Sequence, residues 1–521
     1  MTRRAAPLSA GLAVPFALLA VWLSGGVQIG AGNHAGLLPV VRRLLDPGYL
    51  PGDFGIELRL YHHRVFAHLL AWAVEVFGET GGFVVLTLLG MLLLMLALWR
   101  LARAGGLGAA GYALLAALLA TATAFVGRGM EINDFLGNGP IMPPTFSHAA
   151  VLMSLTALLE RRPVAALAWT GVVGLLHLQV AAVWLCVLLP LLLAGSPRPN
   201  ARQWLGGLAL LLLCAAPALL DLWRLARGGL VGGSGNALAD IAFRMPHHFE
   251  LRGARHALWP LAYGVLLAVL WRRLRRQQDA LAAVYATLFT VCALLGALAL
   301  LHFADYHLLR WGRIAQLQFI RLSPLLSVLG GLGLVFVLQR WFTARWPARR
   351  EALLWALCLA VLLPKVFAEW REYRFAHVGV VRFAESSAEW IAVCDWVREH
   401  TLAAERFLTP PGHAAFVALA ERSNVAEIKV NPDGGRGMPE WQQRLRALSG
   451  GEPLPDRHDF GANAVALDAA YQRLSAAQLR ALAQRYQARY AILLPSMPAP
   501  GTVIYDAGGY RVLDFAASSS P

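Results

Sequence analysis

Long runs of apolar residues recur along about the first 370 residues of this chain, and they constrain its fold more than any other feature. A run of about 20 apolar residues can cross the hydrocarbon core of a membrane as an α-helix. With 57% hydrophobic and 15% charged residues, the composition excludes an ordinary soluble protein. The runs predict about 11 transmembrane helices, at 9–30, 81–101, 107–126, 146–160, two short passes within 163–195, 203–222, 257–271, 280–301, 317–338 and 352–369.

Two apolar segments are not predicted to be single membrane crossings. Residues 163–195 are too long for one crossing and have arginines at both ends, so we expect two short passes that turn near His177–Gln179. Residues 62–77 place apolar side chains at helical spacing and predict an amphipathic helix on the membrane surface.

Arginine is distributed unevenly among the connecting segments. The short segments around Arg100, Arg161, Arg198, Arg273 and Arg349 hold several arginines and few acids, whereas the loops on the opposite side are longer and mix both charges. The positive-inside rule therefore predicts a cytoplasmic N-terminus and an external C-terminal tail. We expect a multi-pass protein of the bacterial inner (cytoplasmic) membrane with its C-terminal domain in the periplasm.

The formal net charge of +15 favours anionic partners such as membrane lipids or phosphate groups. Nucleic acid is disfavoured, because the arginines are divided among short loops and form no continuous patch.

The tail differs in kind from the apolar region. From about residue 375 it alternates helical and strand-like runs, which predicts a periplasmic α/β domain over 375–521. Residues 1–374 then form the transmembrane domain, with a first periplasmic loop at 32–80. In the tail we expect helices at 386–400, 413–422, 438–449 and 471–486, and strands at 406–409, 425–430, 490–494, 502–505 and 510–515.

The first external loop, Asn33 to Tyr61, carries Asp46, Asp53 and Glu57 among several prolines and glycines. Two interpretations of these acids are open. They are solvated charges on a loop that returns to the membrane, or Asp53 is a catalytic carboxylate that faces a lipid-linked substrate.

Polar residues in or beside the membrane fall mostly on the predicted outer side. Ionisable groups at membrane depth are costly and mark functional cavities by default, so five such loops predict a wet cavity that opens to the periplasm. The candidate substrate-binding residues in these loops are Asp134, His148, His177, Arg244, His247, His248 and Arg313.

The stretch Arg244-Met245-Pro246-His247-His248 is the sharpest short signal among them. His247 and His248 have three open readings: weak candidates for a metal site with a nearby acid, contacts to a phosphate or sugar, or structural residues. Arg244 and Arg313 allow two interpretations. A guanidinium binds phosphate oxygens well, but arginines also extend their charged ends to the water at membrane interfaces without binding a ligand.

In the tail, Lys429, Arg422, Glu427 and Trp441 are candidates to contact an acceptor glycan or peptide, with Trp441 offering a stacking face. The alternative is that these residues pack a small core.

The layout resembles the GT-C superfamily of membrane glycosyltransferases. The resembling features are Asp53 within Pro51-Gly52-Asp53-Phe54 on the first outward loop, the surface helix behind it, the short helical pair around Gly174–His177 and the outward α/β tail. The resemblance implies a sugar donor on a polyprenyl-phosphate carrier, and a role for Asp53 as general base or as a ligand of a divalent metal ion. The sequence itself identifies no cofactor.

More closely, the chain resembles an uncharacterised family of bacterial multi-pass membrane proteins. The resembling segments are the Arg244–His248 stretch, Thr409-Pro410-Pro411, Arg422 to Pro432 and Glu440-Trp441.

The leading hypothesis is an integral-membrane glycosyltransferase that moves a sugar from a lipid-linked donor to a glycan, lipid or protein acceptor on the periplasmic face. A base for the acceptor hydroxyl and cations for the leaving phosphate are the groups that this chemistry needs. The alternatives are a transporter or flippase of a lipid-linked or anionic solute, and a non-catalytic scaffold for envelope assembly.

Overall fold

The structure is a computed structural model, and it describes residues 8–30, 32–60, 63–121, 130, 136, 141–195, 198–227, 243, 245–251, 253–375, 380–383, 386–430, 432 and 437–516. The chain groups into two compact units. The first unit comprises Met1–Val27, Phe83–Leu220 and His247–Arg382. The second comprises Gln28–Gly82, Asp221–Pro246 and Phe383–Pro521. The first external loop, predicted as part of the transmembrane domain, thus groups with the C-terminal tail.

Helices build the first unit, and two of them continue into the second. Short 3₁₀ helices lie at Pro246–His248, Ala315–Leu317, Phe319–Leu322 and Pro347–Arg349. The longer helices are Ala13–Leu23, Arg64–Ala104, Ala109–Ala120, Pro143–Leu159, Pro163–Leu176, Leu178–Ala194, Ala201–Arg227, Ala254–Arg276, Ala282–Phe303 with a π-helical end Ala304–Leu309, Ser323–Arg345 and Arg350–Phe375.

Every predicted span overlaps one of these helices. Within the described residues, six segments are both long and apolar enough to cross a membrane: Arg64–Ala104, Ala201–Arg227, Ala257–Arg276, Ala282–Leu309, Ala315–Arg345 and Pro347–Arg374. A multi-pass helical membrane protein is therefore confirmed, while the number of 11 crossings stays a prediction.

The predicted surface helix and second span are one helix, Arg64–Ala104, interrupted at Gly78. Gly78 has φ 73° and ψ 167°, a conformation that a residue with a Cβ rarely adopts. Glycine at this position lets the chain change direction between the amphipathic and the fully apolar parts.

The predicted turn in the run 163–195 is confirmed at His177, which separates helices Pro163–Leu176 and Leu178–Ala194. A Cβ on Gly174 would lie 3.6 Å from the Cβ of Ala181. In a continuous helix, residues seven apart are separated by about 10 Å along the axis. The two short helices therefore fold back on each other as a hairpin.

The second unit contains a five-stranded sheet, formed by β3 Arg406–Leu408, β4 Ser423–Asn424, β5 Tyr490–Leu493, β6 Thr502–Ala507 and β7 Tyr510–Asp514; β1 Val27–Ile29 and β2 Val381–Phe383 form a separate pair. The order in the sheet is β4-β3-β5-β7-β6. β3 is parallel to β4 and β5, and β7 is antiparallel to β5 and β6. The predicted α/β tail is thus present.

Helices of the second unit pack on this sheet or on one another. They are His34–Leu45, Phe54–Arg59, Ala388–His400, Phe416–Ala420, Gly437–Leu448, Phe460–Gln472 and Ala476–Tyr486. Trp441, Leu445, Tyr471 and Leu479 are fully buried at the centre of the core.

Two predictions in the tail are wrong in detail. The strand predicted at 425–430 is wrong: the two-residue strand β4 ends at Asn424, just before it, and residues 425–430 are irregular but mostly buried. The helix predicted at 471–486 begins only at Ala476, because Ser475 caps it with a reciprocal capping box to Gln478, and the preceding helix Phe460–Gln472 was not predicted.

Candidate functional site

Asp53 lies in the second unit at the start of helix Phe54–Arg59, where the chain leaves the turn at Gly52. Its backbone is extended and its Oδ1 accepts a hydrogen bond of 2.9 Å from the N–H of Ile56, which caps the helix. The residue is only 1% exposed. Its second oxygen, Oδ2, is buried and makes no hydrogen bond to any described residue. Since buried polar atoms are nearly always paired, this half-satisfied carboxylate is a candidate functional group.

A small cleft surrounds Asp53. Asn424, Glu427 and Trp441 line it together with apolar atoms of the neighbouring elements. The space between the atoms is about 330 Å³ and part of it is open to solvent. Its enclosed part has room for about one water molecule. The cleft that Asp53 lines can thus hold about one water molecule.

Glu427 is the second buried acid of the cleft, with 2% of its surface exposed. Its Oε1 accepts from the N–H of Ala415 at 3.2 Å and its Oε2 from the side-chain amide of Asn424 at 3.5 Å. Burial, together with the smaller effect of the neighbouring Asp53 charge, raises the pKa of Glu427 from 4.5 to about 7, although hydrogen bonds from the N–H groups of Ala415 and Phe416 lower it.

Burial also raises the pKa of Asp53. The Ile56 N–H, the hydroxyl of Ser423 and the charge of Arg406 act in the opposite direction. Two carboxyl groups with raised pKa values in one cleft are the arrangement in which one group can hold a proton while the other accepts one.

Trp441 and Arg422 do not have the roles predicted for them. Trp441 is fully buried and donates its indole N–H to the carbonyl of Glu427 at 3.1 Å, so the predicted open stacking face is wrong. Arg422 is 6% exposed and donates to the carbonyl of Arg398 at 2.7 Å and of Glu421 at 2.8 Å. Its guanidinium ties loops together instead of contacting a ligand.

Arg444 is a site neighbour that sequence reasoning missed. Its guanidinium lies 3.8 Å from the ring centre of Phe54, the residue after Asp53, and it is bonded to Glu440 at 2.7 Å. The Glu440–Arg444 spacing of one helical turn is visible in the sequence, but the contact of Arg444 with the Phe54 ring is not. Lys429 is half-buried with its ammonium 4.8 Å from the ring centre of Phe460, and its contact with a substrate stays a prediction.

Four of the predicted substrate-binding residues in the first unit have described side chains. His148, His177 and His248 are buried, and Arg313 is exposed. The amide of Gln179 donates to the carbonyl of Gln316 at 3.1 Å. The helical hairpin is thereby joined to the segment that carries Arg313, so two of the five predicted outer loops do come together.

Asp305 organises that segment. Its Oδ2 accepts from the N–H groups of Ile314 at 2.9 Å and Ala315 at 2.7 Å. Its Oδ1 is buried and makes no hydrogen bond to the described residues. Asp305, at the end of an apolar helix, therefore fixes the backbone on which Arg313 lies.

Some predicted residues lie outside the described part of the chain. Asp134 and Arg244 are among them, and for His247 only the backbone, in the turn Pro246–His248, is described. Among the described residues, no three or more His, Cys, Asp or Glu side chains come together as a metal site. The phosphate grip of Arg244 and the metal reading of His247 and His248 therefore stay predictions.

Comparison with known proteins gives two findings. The family model described as "Domain of unknown function (DUF6798)" matches residues 388–448, in keeping with the predicted resemblance to an uncharacterised family. The chain is also similar to the crystal structure of ArnT from Cupriavidus metallidurans bound to undecaprenyl phosphate. That similarity covers 99% of this chain and 98% of the other, at 12% identity and a TM-score of 0.48. No curated protein sequence matches the chain.

Proposed function

We propose that this chain is an integral-membrane glycosyltransferase that moves a sugar from a polyprenyl-phosphate-type lipid donor to an acceptor hydroxyl on the periplasmic face. The observation that carries the proposal is the cleft of the second unit, where Asp53 presents a buried, unbonded carboxylate oxygen beside the protonatable Glu427. Membrane-spanning helices in the same chain favour a lipid-linked donor over a soluble one.

Asp53 acts as the general base. Ile56 holds Oδ1, so Oδ2 is the atom that accepts the proton of the acceptor hydroxyl. The hydroxyl takes the place of the single water that the cleft accommodates. Burial raises the pKa of Asp53, which makes the ionised carboxylate a stronger base than one on the surface.

Glu427 tunes that base. With a pKa of about 7, Glu427 holds a proton in a large fraction of molecules at neutral pH. A protonated neighbour removes a like charge from the cleft and so favours the ionised form of Asp53. Glu427 is in this way a positioning residue that sets the charge on Asp53.

Cationic side chains stabilise the leaving phosphate. The residues predicted for this role from the sequence alone are Arg244, Arg313 and His247. Planar guanidinium groups form paired hydrogen bonds with phosphate oxygens, and such bonds strengthen as charge develops on the leaving group. Apolar faces of the spanning helices hold the prenyl chain.

The proposal is tested by Asp53→Asn in membranes supplied with a lipid-linked sugar donor. Asparagine caps a helix as well as aspartate does, so folding and insertion are expected to persist. Transfer is expected to fall by about 100-fold or more, the usual contribution of a general base. The matched control is Asp46→Asn, an exposed acid on the same loop, which should leave transfer intact.

Normal transfer by Asp53→Asn would remove Asp53 from catalysis. The scaffold alternative predicts a different pattern: Asp53→Asn keeps the envelope phenotype, whereas deletion of residues 375–521 abolishes it. A transporter would instead move the lipid-linked solute across the membrane without any sugar transfer.

A further inference from the structure

A hydrogen-bonded chain of three side chains lies in the second unit, beside the Thr409-Pro410-Pro411 segment. His413 Nδ1 is 2.8 Å from Asp468 Oδ2, and His413 Nε2 is 2.8 Å from the hydroxyl of Tyr510. Because a carboxylate only accepts, Nδ1 donates to Asp468, and Nε2 is left to accept from the Tyr510 O–H. The order acid, imidazole, hydroxyl is that of a nucleophile with a base and a third group that orients the base.

The backbone is shaped to fix this arrangement. Asp468 Oδ1 accepts from the N–H of Gly412 at 2.7 Å, so both of its oxygens are bonded. A Cβ on Gly412 would lie 2.2 Å from the carbonyl of Ala464, and only glycine allows this approach. Trp390 holds the rings, at 4.7 Å from the ring centre of His413 and 5.3 Å from that of Tyr510.

Solvent reaches these side chains, unlike those of a sealed structural tether. The side chains of His413 and Asp468 keep 23% and 18% of their exposure, and Tyr510 is half-buried. Gly508 and Gly509 precede Tyr510 with φ of 60° and 80°, and they carry no side chains to cover its approach. The three side chains are therefore partly open to solvent.

We propose that Tyr510 is a nucleophile that accepts an acyl group from a carboxylic ester. The Tyr510 oxygen bonds to the ester carbonyl carbon while its proton passes to His413 Nε2. The ester C–O bond then breaks, and His413 gives the proton to the departing alcohol. Water attacks the tyrosyl ester by the reverse proton path, which releases the carboxylic acid and restores the phenol.

In this series of reaction steps Tyr510 contacts the substrate, whereas Asp468 is a positioning residue that stabilises the imidazolium of His413. Burial raises the pKa of Tyr510, so the phenol keeps its proton at neutral pH and depends on a base. The other groups that face it are the Ser387 hydroxyl, the Glu389 carboxylate and the Cys394 thiol. Burial raises the pKa of Cys394, which keeps that thiol neutral.

The test uses the full-length protein in detergent with two probes, p-nitrophenyl acetate and an aryl sulfonyl fluoride. Peptide mapping is expected to find the sulfonyl label on Tyr510. The rate should already be high at neutral pH, and it should not require a pH of about 10, where free phenols ionise. Tyr510→Phe should abolish both reactions at this site.

Variants separate the positioning role from a structural one. Asp468→Asn keeps the side-chain volume but removes the charge, and should lower the rate by about 100-fold or more. The loss in His413→Ala should be partly restored by added imidazole. The control is Tyr505→Phe, a half-buried tyrosine of β6 whose ring packs 5.1 Å from Trp396, and this variant should change neither reaction.

Three results would overturn the proposal. They are labelling of Tyr510 no faster than that of Tyr505, a rate that rises only near pH 10, and an unchanged rate in Asp468→Asn. Each would mean that the three side chains only tether β7 to its neighbours.

Discussion

Buried acids are the residues that distinguish this chain. Asp53 and Glu427 each keep some hydrogen bonds, yet burial raises the pKa of both. The sequence marks Asp53, because an acid between Gly52 and Phe54 on the first outward loop is unusual in so apolar a chain. It does not reveal that Glu427 shares the cleft. A contact between residues so far apart in the chain leaves no local pattern, and the alternation of Val425–Val430 favours a surface strand.

Glu427 is expected to make stability depend on pH. Its folded pKa of about 7 lies above its ordinary value of 4.5, so the folded state holds this proton more tightly than the unfolded state. The contribution to the free energy of unfolding is therefore full below about pH 4.5, falls by about 3 kcal/mol as pH rises to about 7, and stays low above it. Thermal unfolding between pH 4 and 8 measures this.

The variant Glu427→Gln should flatten that dependence, since an amide does not titrate. The control is Glu452→Gln, which alters an exposed pair with Arg473 and should keep the wild-type slope. An unchanged slope in Glu427→Gln would show that other groups cause the pH dependence.

At the scale of elements, apolar length and capping signals predict more than strand patterns do. The spans were found because a helix that faces lipid must be apolar over a fixed length. The Ser475-to-Gln478 capping box was also visible in the sequence and would have placed the start of the helix predicted at 471–486 at Ala476. The sequence does not show that β4 is only two residues long, because its pairing with β3 ends at Asn424 while the residues that follow stay buried.

Arg42 connects helix His34–Leu45 to two neighbouring segments. Arg42 makes two hydrogen bonds to Glu79, at 2.9 and 3.0 Å, and a third of 2.7 Å to the carbonyl of Ala418. We expect Arg42→Met to lower the free energy of unfolding by about 3 kcal/mol, because it leaves a largely buried carboxylate and carbonyl unpaired.

Thermal unfolding in detergent measures this loss. Arg473→Met, which breaks an exposed pair with Glu452, is the control and should cost under about 1 kcal/mol. Equal effects of the two variants would mean that Arg42 does not hold the helix in place.

At the scale of the whole molecule, sequence reasoning divided the chain at one point, whereas the structure divides it at several. Residues 28–82 group with the tail although the apolar stretch 83–220 separates them in the chain. Hydropathy predicts whether each segment lies in lipid or in water, but it carries no information on which segments outside the membrane pack together. The membrane class was therefore predictable, and the composition of the second unit was not.

Orientation also belongs to this scale. The arginine distribution leads us to expect that alkaline phosphatase, active only in the periplasm, works when fused after residue 400. The same reporter fused after Gln278, in the arginine-rich segment between two spans, should be inactive. The reverse pattern would invert the topology and place the cleft of Asp53 in the cytoplasm.

If both helices of the hairpin at His177 cross the membrane as predicted, the surrounding lipid has to adapt to them. The two helices have 14 and 17 residues, or about 21 and 26 Å of rise, whereas a typical hydrocarbon core is about 30 Å thick. Such hydrophobic mismatch is relieved when the bilayer thins locally. The protein should therefore partition into thin membranes, and its melting temperature in nanodiscs should be higher with short acyl chains than with long ones.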